Sequence, residues 1–386
     1  MDFELDEAHR LLRDTVAAWA EREIGPIADE IDRRDEFPPD LWVKMGELGI
    51  LGITVPPEYG GAGFDLLAGV LTIEQIARFS GAVALSYGAH ANLCTQNIYR
   101  NGSEEQRRRF LPPLCTGQHI GALAMTEPDA GSDAVGGMQT RAVRDGDDYV
   151  LNGTKMFITN GPVADTILLY AKTAPERRQH GITAFIVEKG MPGFSVSRKL
   201  DKVGHRGSPT GELVLQDVRV PARNVVGKEN EGVRVMMSGL DSERAFLAGE
   251  SLGLAERALE LSVAYAKERK QFGQPIGHFQ LIQGKLADMY VQVESARWLV
   301  YRTAVLADQA EKEGRRFSKE AAAAIMYAAE VSTRVALDAV QIHGGYGYLM
   351  DNPVQRILRD AKLLEIGAGT TEIRKTIIAR ELLGLR

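Results

Sequence analysis

Apolar residues near the start of the chain fall three and four apart: Leu5, Ala8, Leu12, Val16 and Trp19. That spacing predicts an amphipathic helix. A loop rich in Pro and Gly, VPPEYGGAGF, breaks the pattern. Helical spacing returns in DLLAGVLTIEQIARFSGAVALSYGAHANLCTQNIYRNG and in SEEQRRRFLPPLCTG, where Ser103 followed by Gln106 matches a capping box. Residues 1–120 are therefore expected to be a helical domain. From 121 to 224 the period shortens, with Asp145-Gly146, Asn152-Gly153 and Asn160-Gly161 punctuating β-branched runs such as YVLNGTKMFITNG and GITAFIVEK. Those are hairpin signals, and they predict a small all-β, barrel-like domain. Amphipathic stretches at 231–267, 279–312, 318–343, 353–365 and 371–383 predict a helical bundle over 225–386. The expected fold is mostly α with a central all-β domain.

The first helix of the bundle carries an anomaly. At 100° per residue, Met236, Leu240, Glu243, Leu247, Glu250 and Leu254 share one stripe. Two carboxylates thus interrupt an apolar line, where an unpaired charge is costly to bury. Desolvation raises a glutamate's pKa towards the range of a general base. The alternative is an ion pair with a cation on another element. The two are about 10 Å apart along the axis, so both cannot serve one atom, and periodicity does not choose between them.

A second anomaly lies in LLEIGAGTTEIRK, where Gly367, Ala368 and Gly369 notch a stretch of helical character. Glycine is unfavourable in a helix, so the notch makes room for something. It carries no reactive side chain of its own.

Composition narrows the classes. The chain has 386 residues, a net charge of −6 and 44% hydrophobic residues, enough for two or three domains. Mild acidity without a basic run argues against nucleic acid, and no apolar stretch is long enough for a membrane span. The acidic, amphipathic N-terminus lacks the features of a signal or transit peptide. Cys94 and Cys115 are expected to be reduced and structural, as in a soluble, intracellular protein.

Neither a G-x-G-x-x-G fingerprint nor a Walker A loop is present, and the seven histidines are scattered, so no metal site is expected. GESLG, residues 249–253, matches the nucleophile elbow of hydrolases but sits inside a helical run, where no strand precedes it. It reads as small residues for close helix packing.

Several segments together resemble the acyl-CoA dehydrogenase family: MTEPDAGSDA (125–134), KMFITNG (155–161), RKQFGQPIGHFQ (269–280), QIHGGYGY (341–348) and LRDAKLLEIGAGTTEIR (358–374). They span the chain in order. GAVALSYGAHANLC, LDKVGHRGS and LDSER are most similar to the isovaleryl-CoA dehydrogenases within it. The resemblance implies a helical N-terminal domain, a small β-barrel and a C-terminal four-helix bundle. It also implies one FAD per subunit, an acyl-CoA substrate, electron-transfer flavoprotein as partner and a homotetramer. It further implies oxidation of isovaleryl-CoA to 3-methylcrotonyl-CoA, with the β-hydrogen leaving as hydride to the flavin N5. Alternatives are another branched or longer acyl-CoA, a non-catalytic FAD scaffold, or an oxidase. The implied location is cytoplasmic, or the mitochondrial matrix for a processed form.

Residue roles follow from the same resemblance. Most family members place the catalytic glutamate where this chain has Ala368; in the isovaleryl-CoA group the base comes from LDxER, which is Glu243 here. The backbone N–H of Ala368, beside Gly369, is expected to bond the thioester oxygen. Met125, Thr126, Ser132, Phe157, Ile158 and Thr159 are expected against the flavin, Ser132 also touching the substrate. Arg269, Phe272 and Gln280, and the turn Gln341, Ile342, His343, Gly344 and Gly345, are expected to reach FAD across a subunit boundary. Thr370, Thr371 and Glu372 open the last helix, suited to a diphosphate. Arg234, Asp241, Ser242 and Arg244 are expected on the CoA side, with Arg244 pointing away from Glu243. Phe157 replaces the usual tryptophan, Arg234 and Leu364 each replace a tyrosine, and Glu250 replaces a glycine.

Overall fold

The computed structural model describes residues 4–385. Among the described residues the N-terminal part holds the α-helices α1 (Glu7–Glu23), α2 (Ala28–Arg34), α3 (Asp40–Glu47), α4 (Leu66–Ala77), α5 (Gly81–Gly88), α6 (Asn97–Asn101) and α7 (Glu104–Cys115). Val16, Trp19 and Ala20 are the buried face of α1. The long apolar stretch after the Pro/Gly loop is not one helix. Helix α4 stops at Ala77, Ser80 caps α5 by accepting from Val83 N–H, and residues Ala89–Gln96 widen into a π-helical segment. The capping box at Ser103 forms as expected, with Gln106 returning the bond to the Ser103 N–H at 2.9 Å.

The middle part holds β1 (Gly121–Ala124), β2 (Arg141–Asp145), β3 (Asp148–Thr159), β4 (Thr166–Lys172), β5 (Ile182–Glu188), β6 (Phe194–Lys199), β7 (Thr210–Pro221) and β8 (Val225–Val226). The pairing path β6-β7-β3-β2-β4-β5-β8 is open, with β1 alongside β4. Where a barrel-like domain is expected, the strands form an open path whose edges are β6 and the two-residue β8. That strand pairs with Ala184 and Phe185, so the β part runs past the expected boundary at 224.

The C-terminal part begins with α8 (Gly232–Glu268), followed by α9 (Gln280–Lys312), α10 (Ser318–His343), α11 (Pro353–Leu364) and α12 (Thr371–Leu382). Helix α8 packs against α4, α9 and α10, and residues 244 to 255 along it are buried on every side. GESLG lies within it and cannot form an elbow. No helix among the described residues is long and apolar enough to cross a membrane.

Candidate active site

The small-residue notch is the turn between α11 and α12. Gly367 N–H closes onto Leu363 O at 2.8 Å, and Thr371 N–H onto Glu365 O at 3.0 Å. Ala368 and Gly369 between them are left-handed, with φ of +55° and +95°. An alanine there is strained by about 1–2 kcal/mol and persists because its surroundings hold it. Two arginines do so. Arg374 Nη2 donates to Gly367 O, and Arg244 Nε donates to Ala368 O at 3.2 Å. Among the described residues, no acceptor takes the Ala368 N–H. A side chain at Gly367 would meet nothing nearer than Leu363 O at 3.6 Å, so the notch has open width.

Glu243 on α8 is half-buried, and among the described residues its carboxylate has neither a hydrogen bond nor an ion pair. Burial raises its pKa to about 7, while Arg244 and Arg374 hold it from rising further. A carboxylate half ionised near neutrality, with nothing bonded to it, is equipped to accept a proton. Glu250 is different: it is fully buried, and its Oε1 lies 2.6 Å from His205 Nε2. The two glutamates on the apolar stripe are thereby distinguished. Glu250 is an ion-pair member and Glu243 is free.

The other residues expected on the CoA side divide. Arg244 points away from Glu243, as its position one residue on requires, and its Nε reaches the notch. It also donates to Asp241 at 2.8 Å, and Asp241 accepts from Ser318 at the start of α10. Ser242 corrects the expectation: it is buried, and its hydroxyl donates to Gln96 of the π-helical segment at 3.2 Å, because it faces α4–α6 rather than the notch. Arg234 is exposed and pairs with Glu231 at 3.2 Å. Leu364 is fully buried at the end of α11.

Two segments expected at the flavin are brought together by the sheet. Met156 N–H donates to Thr126 O at 2.8 Å. Lys155, fully buried, donates to Met125 O at 3.1 Å and to Glu127 Oε1 at 2.9 Å. Glu127 in turn accepts Gln139 N–H at 2.5 Å and Thr140 N–H at 3.0 Å. Burial lowers the Lys155 pKa to about 8, with Glu127 opposing it. Above this clamp Phe157 is 64% exposed and left-handed, at φ +61°, where the strand register shifts. Ile158 is buried beneath, and Thr159 and Ser132 stay open. An aromatic ring held out of a rigid strand beside free polar groups fits the face of a flavin ring.

The remaining expected cofactor residues lie elsewhere. Arg269 follows the end of α8, roughly 40 Å along that helix from Glu243. It sits over the Tyr346 ring, 5.4 Å from its centre, and Phe272 nearby is 92% exposed. Gln280, Gln341, Gly344 and Gly345 are exposed at the same end. Ile342 and His343 correct the expectation, because they turn inward: His343 is stacked on Tyr265 at 4.2 Å and bonds Ala339 O at 2.8 Å. At the start of α12 the free N–H groups are partly taken, Thr370 capping Ile373 N–H and Thr371 N–H bonding Glu365. Glu372 is exposed.

Missed in the sequence were Arg374, Lys155 with Glu127, and His205. A charged residue at a helical surface position or in a strand gives no signal of being buried; only the helical stripe exposed Glu243 and Glu250.

Family models match nearly the whole chain: the N-terminal, middle and C-terminal domains of acyl-CoA dehydrogenase match residues 6–118, 122–218 and 230–383. A mitochondrial isovaleryl-CoA dehydrogenase of Pongo abelii is 53% identical, over 97% of this chain and 89% of that protein. A mitochondrial 2-methylacyl-CoA dehydrogenase of Solanum tuberosum is 50% identical, over 98% and 91%. Among solved structures, butyryl-CoA dehydrogenase of Megasphaera elsdenii superposes with a TM-score of 0.95 at 42% identity, covering 99% of this chain and all (100%) of that one. A chain solved in work on the electron transferring flavoprotein of Acidaminococcus fermentans superposes at 0.96 with 43% identity, covering 99% and 100%.

Proposed function

The chain belongs to the acyl-CoA dehydrogenase family of FAD-dependent oxidoreductases, and within it we propose that this protein oxidises isovaleryl-CoA to 3-methylcrotonyl-CoA. The observation that carries the reading is the unpaired carboxylate of Glu243 on a helix hydrogen-bonded to a turn whose Ala368 N–H is free.

An acyl-CoA α-proton is weakly acidic, so its removal needs a base and a donor to the carbonyl oxygen at once. Glu243 takes the α-proton. The Ala368 N–H donates to the thioester oxygen, where negative charge grows as the proton leaves. Bound FAD supplies the acceptor for the β-hydride. Met125, Thr126, Phe157 and Thr159 would hold the flavin ring, resting on the Lys155–Glu127 clamp. Gly367 and Ala368 leave width at the thioester for a branched acyl chain.

The segments around Arg269, Phe272, Gln280 and Gln341–Gly345 lie too far from Glu243 to serve the same flavin ring. They are proposed to complete the FAD site of a neighbouring subunit in a homotetramer. The exposed Phe272, Leu281 and Tyr348 suit burial there. Electrons are proposed to pass to electron-transfer flavoprotein, in line with the structural relative from that work. Free, buried Cys94 and Cys115 fit a reducing compartment, the cytoplasm being the one proposed, with leucine breakdown as the pathway.

A second reading, a 2-methyl-branched acyl-CoA as substrate, is favoured by the similarly close relative from potato. The test is kcat/KM of the holoenzyme with isovaleryl-, 2-methylbutanoyl-, butyryl- and glutaryl-CoA. Preference for isovaleryl-CoA supports the proposal, and preference for any other sinks it.

A further inference from the structure

Among the described residues, Arg374 is the largest fully buried side chain, yet it forms no ion pair there. It sits in the first turn of α12, its own N–H bonded to Thr370 O at 2.9 Å. Its Nη2 donates to Gly367 O, while Nε and Nη1 are buried without partners. A guanidinium so poorly satisfied is expensive to bury, and folding stability alone would favour an apolar residue there. Something other than stability accounts for its place.

The acceptor it has chosen is informative. Gly367 C=O and Ala368 N–H are the two ends of a single planar amide, conjugated through the C–N bond. A cation at the oxygen draws electron density towards it and leaves the N–H a stronger donor. Charge-assisted bonds of this kind are roughly twice as strong as neutral ones, and bonded amides reinforce one another in a low-dielectric site. The next carbonyl, Ala368 O, is held by Arg244. Two arginines therefore grip successive carbonyls, and the N–H between them has no acceptor. The left-handed backbone at Ala368 and Gly369 is the conformation this grip maintains.

We propose that Arg374 is a positioning residue of the reaction: by bonding Gly367 O it activates and aims the Ala368 N–H that polarises the substrate thioester. This rests on the reading of Ala368 as the donor to the thioester oxygen. Burial lowers the pKa of Arg374 to about 10, which leaves it charged at neutral pH. The charged groups around it are Arg244 and Glu243 on α8, Glu365 in the turn and Glu330 on α10. Arg374 also faces the base, so it favours the ionised form of Glu243 together with Arg244, while Tyr170 approaches from β4.

The experiment uses FAD-loaded enzyme and 3-methylcrotonyl-CoA labelled with ¹³C at the thioester carbonyl. Infrared difference spectra read the carbonyl stretch of the bound ligand in wild type, Arg374→Met, Arg374→Gln and Arg374→Lys. The expected result is a downshift in wild type that is largely lost in Met and Gln and largely kept in Lys. With it, kcat falls about 10-fold or more in Met and Gln, a part of the 10²–10³ that losing a whole oxyanion donor costs. The rise of kcat/KM with pH also moves to higher pH in these two. Should Arg374→Met fail to fold, Gln against Lys carries the comparison. A full downshift and unchanged kcat in Arg374→Gln would overturn this inference alone. Absence of any downshift in wild type would overturn the reading of Ala368 beneath it.

Discussion

Arg244 Nε bonds the Ala368 carbonyl at 3.2 Å, and this contact ties together two elements far apart in sequence. One is α8, which carries Glu243; the other is the turn that presents the free N–H. Base and donor must meet the same thioester, so the distance between them matters more than the position of either. Arg244 keeps its fork in place through Asp241, itself tied to Ser318 on α10.

Replacing Arg244 with lysine keeps the charge and loses the fork. The expected outcome is kcat lowered about 10-fold or more, as for other misplacements of reacting groups, with FAD content unchanged. Steady-state kinetics beside the flavin-to-protein absorbance ratio checks both parts.

The pH profile follows from Glu243. Its pKa is raised by burial to about 7, and only the ionised form accepts a proton. Log kcat/KM should climb with unit slope below about pH 7 and level off above it. For stability the sign is reversed. A carboxyl whose folded pKa exceeds its unfolded one stabilises the fold below the unfolded value, and that contribution disappears as pH rises through the folded value. Glu243→Gln should therefore raise Tm at pH 8 and change it little at pH 4, which thermal denaturation at the two pH values reads.

The His205–Glu250 pair, at 2.6 Å with both side chains fully buried, joins the loop after β6 to α8. Removing one partner strands the other in the core, so His205→Met or Glu250→Leu alone should cost about 3–5 kcal/mol. The double variant should recover most of that loss. Burial opposes the charge on His205, but Asp360 and Glu250 outweigh it and raise its pKa. Its contribution is thus fully present below the ordinary histidine range and lost as pH rises through the folded value. Denaturation of the singles and the double at two pH values tests both statements; additive losses would contradict the first.

Lys155→Met removes the cation between Glu127 and Met125 O. The strand that presents Phe157 and the segment at Thr126 then lose their shared anchor. The expected outcome is FAD bound at least about 10-fold more weakly, the scale of one lost charge-assisted hydrogen bond. Fluorescence titration of the apoprotein with FAD measures it.

The three-part architecture was legible because periodicity changes from helical to strand-like and back, and the helical stripe picked out both glutamates. Which of them is free was not legible, since the partner of Glu250 is His205, 45 residues away in a loop without periodicity. Arg374 was hidden for a related reason. An arginine four residues after a helix cap reads as solvent-facing, and it is the turn together with α8 and α10 that encloses it. Ile342 and His343 belong to a motif whose exposed members are Gln341, Gly344 and Gly345, and a motif does not say which way each side chain points. The break before Ser80 follows a helix buried on all sides, Glu74 and Gln75 included, where no exposed face marks the end.

The central claim is that Glu243 is the base, and anaerobic mixing of isovaleryl-CoA with wild-type and Glu243→Gln holoenzymes tests it directly. In wild type the visible flavin absorbance should bleach near one equivalent per subunit. In Glu243→Gln the spectrum should shift on binding while bleaching slows by about 10²–10⁴-fold, the span of general-base catalysis. Bleaching of the variant at the wild-type rate would contradict the account.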